Sequence, residues 1–169
     1  VFGANTHTFK MAYNMPLWFL PCLFMSVLLF YGLCRLPKRT QVVAALGSML
    51  VSLALSGVVR LPWSFDVAFM AAGFMMLGFQ HRQRILASKP LSWPVIGGFA
   101  IICLLSGLNN GLVDMNYNEY GNPLLFFPAA LSGIVVVINV AKRISSVSFM
   151  AKWLNRLGKN SLYILCCHS

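Results

Sequence analysis

The chain has 169 residues, 59% of them hydrophobic and 9% charged, with 13 Lys and Arg against 3 Asp and Glu and a net charge of +10. Soluble domains carry about 25% charged residues, so the composition excludes that class and points to an integral membrane protein. The basic residues come in short tufts between apolar runs, which argues against a nucleic-acid partner and for membrane topology.

Five complete uncharged or nearly uncharged runs follow along the chain. The first is Met15–Cys34, within "NMPLWFLPCLFMSVLLFYGLC", and the second is Thr40–Val59. The third, Leu61–Gln80, holds one acid, Asp66; the fourth is Pro90–Val113 and the fifth Tyr120–Ala141. A sixth begins at Asn160 and stops at Ser169. A spanning helix needs about 20 residues, so the chain reads as five spans and a truncated sixth. Strand alternation is absent and the runs are too long for barrel strands of about 10 residues. The expected fold is all-α, a polytopic transmembrane helical bundle. Small residues (Gly47, Ser52, Gly73, Gly97 and Gly98 among them) are expected to let its helices approach closely. Between the fifth and sixth runs, Phe149, Met150, Trp153, Leu154 and Leu157 recur at helical spacing opposite Lys152, Asn155 and Arg156. That pattern predicts one amphipathic helix lying on a membrane surface and ending at Gly158.

Basic residues alternate strictly with the runs. Arg35, Lys38 and Arg39 follow the first, Arg82, Arg84 and Lys89 the third, and Lys142, Arg143, Lys152, Arg156 and Lys159 the fifth. Eleven therefore share one side, while Lys10, Arg60 and all three acids fall on the other. By the positive-inside rule the eleven face the cytoplasm. The five cysteines, Cys22, Cys34, Cys103, Cys166 and Cys167, lie in or beside apolar runs without metal-ligand spacing, and read as small packing residues. No metal site is expected.

The chain has no phosphate loop, no HExxH and no paired carboxylates. Its candidates are polar groups at membrane depth, which are costly and often functional. Asp66 either faces an outward cavity or pairs with Arg60. Asn109, Asn110, Asp114 and Asn116, in "GLNNGLVDMNYNEYGNP", are of the types that hydrogen-bond sugar hydroxyls, and equally those of an ordinary turn-rich loop. His168 is a weak candidate for a catalytic or acceptor-positioning base, its alternative being an interhelical donor. His7 and His81 are expected in flanking loops without a role. The four tryptophans suit an aromatic belt.

"NMPLWFLPCLF" resembles the "PLWFLxxLF" segment of the acyltransferase 3 family, nearest to its fucose 4-O-acetylase-like members. "LPWSFDVAFMAAGFMMLGF", "VDMNYNEYGNPLLFFPAALSGI" and "LGKNSLYILCCH" match in the same order, the last resembling the family's "GxxSLxIYxxH" ending. The resemblance covers nearly the whole chain. It implies a bundle of about ten helices that moves an acyl group, commonly acetyl from acetyl-CoA or another acyl-CoA, to a hydroxyl of a surface glycan or related acceptor. It implies no bound cofactor, with acyl-CoA as co-substrate and membrane lipid as surroundings. It places residues 1–169 in the C-terminal part of one such domain, in a bacterial inner (plasma) membrane, without the early helices that carry the family's catalytic His and Arg/His motif. A piece of that kind is expected to be inactive alone. The alternative is a segment of a polytopic transporter or flippase, with Asp66, Asn109 and Asn110 as substrate ligands, although the inverted repeats such proteins show are absent.

Overall fold

Prolines, glycines and polar pairs set the ends of the helices. A computed structural model describes residues 18–145 and 148–160, with the backbone alone at Ser148, Met150 and Trp153. Six helices follow in order: α1 Phe19–Cys34, α2 Lys38–Leu55, α3 Phe65–Ala87, α4 Trp93–Asn109, α5 Pro123–Ser145 and α6 Ser148–Lys159. Among the described residues there is no strand, only an isolated bridge between Asp114 and Glu119. The all-α expectation holds.

The count of spans does not carry over so simply. By length and composition, two helices among the described residues are long and apolar enough to cross a membrane: α3 with its leading turn (Pro62–Ala87) and α5. α1 and α4, with 16 and 17 described residues, reach roughly 24 and 26 Å at 1.5 Å per residue, against a hydrocarbon core of about 30 Å. α2 opens on the polar turn Lys38–Gln41. It stops at Leu55, before Gly57 at φ 71°, while α4 stops at Asn109, before Gly111 at φ 74°. Both glycines hold the left-handed backbone that other residues resist, so each run ends short of its hydropathic limit.

α3 errs in the other direction. It continues past Gln80 through His81, Arg82 and Arg84, because that segment contains helix formers and no breaker before Pro90. His81 is therefore helical and not in a loop, its Nδ1 lying 3.0 Å from the Leu77 carbonyl. α5 starts at Pro123 instead of Tyr120. Asn122 caps it, its Oδ1 accepting from Leu124 N at 3.0 Å and its carbonyl from Phe126 N at 2.9 Å. Proline then suits the first helical position. α6 runs one residue beyond the expected stop at Gly158.

The chain divides into two compact units. The first comprises α1, α2, α3 and the loop 114–120. Within it α2 and α3 run antiparallel, with Gln41 bonded to Gln80 at one end and Ser52 to the Asp66 carbonyl at the other. Midway, a Cβ on Gly73 would stand 2.5 Å from Met49 Cγ and 2.9 Å from the Ala45 carbonyl. This glycine is what lets the two backbones approach, as the small-residue pattern predicts. Val67, Ala68, Met70, Ala72 and Met76 of α3 are buried, and α1 adds Cys22 with Trp18, Met25 and Leu29 around it. Cys22, Cys34 and Cys103 are free thiols, as expected; Cys166 and Cys167 lie outside the described residues.

The second unit contains α4, α5 and α6. Gly133 of α5 faces Cys103 of α4, where a Cβ would meet the sulfur at 3.3 Å. Gly97 and Gly98, and Gly47 in the first unit, open instead onto empty space within 4 Å. At the far end of α5, Asn139 accepts from Leu91 N at 2.9 Å and Lys142 donates to Ser88 at 2.8 Å. Arg143 donates to the Leu91 carbonyl and lies 4.5 Å from the Trp93 ring centroid. Ile101, Leu104, Leu108, Leu124 and Val137 are exposed, a surface suited to lipid contact.

Candidate functional site

The best-built polar constellation lies at one end of the first unit. Ser48 and Ser52 share one face of α2, and Ser56, four residues further on, caps its end. Beneath that face the loop 114–120 folds as a small hairpin. Asp114 and Glu119 exchange backbone hydrogen bonds of 2.9 Å in both directions. Asp114 Oδ1 accepts from Asn116 N at 2.9 Å and caps the turn Met115–Tyr117. Asn118 follows in the left-handed region at φ 54°, which asparagine tolerates better than most residues. The hairpin thereby delivers Asn118 and Tyr120 to the buried serine face.

Ser52 is the hub of that meeting. Its Oγ donates to the Asp66 carbonyl at 2.7 Å, with the Tyr120 hydroxyl at 2.9 Å and Asn118 Oδ1 at 3.3 Å. Ser56 Oγ donates to the Asn118 carbonyl. Ser52, Asp66, Asn118 and Tyr120 are all 2% exposed or less, so these bonds are shielded from water.

Asp66 sits at the second position of α3, with the backbone N–H groups of Leu61, Asp66 and Val67 against its carboxylate. Its Oδ1 nevertheless has no hydrogen-bond partner among the described residues, and neither does the buried Ser64 Oγ. An unsatisfied buried acceptor costs about 1–3 kcal/mol. The turn that presents both groups is strained as well, since Trp63 and Ser64 have φ of 63° and 55°. Left-handed backbone outside glycine costs roughly 1–3 kcal/mol per residue and collects at functional sites. Arg60 does not pair with Asp66. Its guanidinium lies 4.0 Å from Glu119 and 4.8 Å from the Tyr117 ring centroid.

The other sequence candidates are distributed differently. Asn109 turns back on its own helix, donating to the Leu105 carbonyl at 2.7 Å. Asn110 is buried and accepts from Asn122 N at 2.7 Å, with the backbone of Gly121 pressed against it. Asn109 and Asn110 thus belong to the second unit, while Asp66, Asp114 and Asn116 belong to the first. His168 lies outside the described residues. Among those described, no three His, Cys, Asp or Glu side chains gather where a metal could be held. Ser52, Asn118 and Tyr120 are the residues that reading by type overlooks. The four-residue serine stripe on an apolar helix is the signal that finds the first of them.

The acyltransferase domain of the acyltransferase 3 family matches residues 1–169, the whole chain. The chain belongs to this family. No curated protein and no solved structure matches it. Membership makes it a membrane acyltransferase by family, and the resemblance carried by the four motifs is borne out. Nothing in the comparisons supports a transporter or flippase. For an acyltransferase 3 chain, the Ser52–Asn118–Tyr120 knot is a buried array of hydroxyl and amide groups on the Asp66 backbone carbonyl, of the kind that orients a polar ligand or locks a loop.

Proposed function

We propose that the chain is the C-terminal part of a membrane-embedded O-acyltransferase that moves an acetyl group from acetyl-CoA to a hydroxyl of a surface glycan. The family match across all 169 residues is the observation that carries this reading. In the transfer, the acceptor oxygen bonds the acyl carbon and the thioester C–S bond breaks. The hydroxyl proton passes to a base and the coenzyme leaves with its sulfur. The basic tufts face the cytoplasm of a bacterial inner membrane, and the five complete apolar runs cross it. Asp66 stands on the acceptor side. Its buried Oδ1, which has no hydrogen-bond partner among the described residues, lies on a strained turn and suits an acceptor hydroxyl, whereas Asp114 and Asn110 already serve backbone N–H groups. His168 is the candidate base within the chain; the remaining catalytic groups lie upstream, and residues 1–169 alone are inactive.

The test uses the full-length protein in cells supplied with labelled acetyl groups. Surface glycan should gain label, and Asp66→Asn, at normal membrane yield, should lower incorporation about tenfold or more, the worth of one hydrogen bond to a charged acceptor. Absence of transfer by the unaltered protein would contradict the reaction; unchanged transfer in the variant would contradict the role of Asp66.

A further inference from the structure

The opposite end of the α2–α3 pair carries a second built site. A cleft of about 190 Å³ is lined by Lys38, Gln41, Phe79, Gln80, Arg82 and Gln83. By the share of liquid volume each water takes, that is room for about six waters, enough for a phosphate group. The floor of the cleft is fixed. Gln41, buried, donates through Nε2 to the Cys34 and Leu36 carbonyls at 3.2 and 2.9 Å, and its Oε1 accepts from Gln80 Nε2 at 2.9 Å. Gln80 keeps a second amide N–H. Arg82 is held by its neighbour, its guanidinium carbon 4.4 Å from the Phe79 ring centroid, and Lys38 stands at the first position of α2.

Charge decides what such a cleft accepts. All three acids of the chain are Asp66, Asp114 and Glu119, and all sit at the other end of this unit, with the serine knot. From Ser52 to Gln41 the helix rises roughly 16 Å, beyond the Debye length of about 8 Å at physiological salt. Lys38 and Arg82 therefore line the cleft without a compensating carboxylate. Arginine's planar fork and lysine's compact ammonium are the two cations that phosphate oxygens accept from most readily.

We infer that this cleft is a phosphoanion site, in which Lys38, Gln80 and Arg82 hold one phosphate group. The phosphate comes either from a soluble nucleotide coenzyme or from the headgroup of an anionic lipid. The coenzyme source rests on the acyl-transfer reading, in which coenzyme A is the leaving group, whereas the lipid source does not.

The full-length protein in nanodiscs of neutral phosphatidylcholine is titrated with coenzyme A by calorimetry. In parallel, its thermal unfolding is compared with and without phosphatidylglycerol in the disc. Coenzyme A binding, or stabilisation by phosphatidylglycerol, is expected in the unaltered chain, and whichever occurs names the source. Lys38→Gln with Arg82→Gln should weaken that effect about tenfold or more. Arg84→Gln with Lys89→Gln removes equal charge outside the cleft and should leave it intact. Both pairs replace exposed side chains, and their unfolding without anion in neutral discs should match the parent. Lack of response to either probe, or equal loss in both double variants, would overturn the site. Equal loss would leave only a general attraction to net positive charge.

Discussion

Ser52 bridges three partners, and its replacement should be felt through what it leaves behind. Ser52→Ala strips the Tyr120 hydroxyl and Asn118 Oδ1 of a buried partner. A loss of about 1–3 kcal/mol is expected for removing a buried hydrogen-bond partner of this kind. Because Tyr120→Phe removes one of those groups, the double variant should lose less than the sum, and thermal unfolding of all four proteins measures that coupling. Arg60 and Asp66 form no direct ion pair and should show a smaller coupling in the same kind of cycle. Arg60 and Glu119 should show only a few tenths of a kcal/mol, because that pair is exposed to solvent. Gly73 offers a sharper contrast. Gly73→Val drives a side chain against the Ala45 carbonyl and Met49, and overpacking of this kind costs about 1–3 kcal/mol. Gly98→Ala meets nothing within 4 Å and should unfold at or above the parent temperature, since alanine favours the helix.

At the scale of elements, the start of α5 rests on a local device. Asn122→Ala should destabilise the protein by about 0.5–2 kcal/mol, with Asn122→Asp recovering most of the loss, as read from thermal unfolding in detergent. The same device shows what the sequence made legible. Hydropathy located α1 to α5, and the 3.6-residue spacing located α6, because apolar runs and amphipathic patterns are local properties. Their ends depart from hydropathy wherever another feature controls them: Gly57 and Gly111 stop α2 and α4 early, while the breaker-free stretch after Gln80 carries α3 onward. Asp66 stood out as a lone acid in an apolar run. Asn118 and Tyr120 did not, because their burial depends on a hairpin whose Asp114–Glu119 pairing and left-handed Asn118 are tertiary facts. The Arg60–Glu119 pair likewise arises from a loop return 59 residues along the chain.

For the whole molecule, we propose that the serine knot and the basic cleft, at opposite ends of the α2–α3 pair, face opposite sides of a membrane. The first would then meet an acceptor outside and the second a phosphoanion inside. Eleven basic residues in alternation motivate that orientation, and the length of α3, roughly 35 Å for 23 residues, permits it. Single cysteines at positions 115 and 84, introduced as Met115→Cys and Arg84→Cys in a protein lacking its native cysteines, test it with a membrane-impermeant thiol reagent. Position 115 should label in intact cells, and position 84 only after the membrane is opened. Labelling of position 84 from outside intact cells would contradict it.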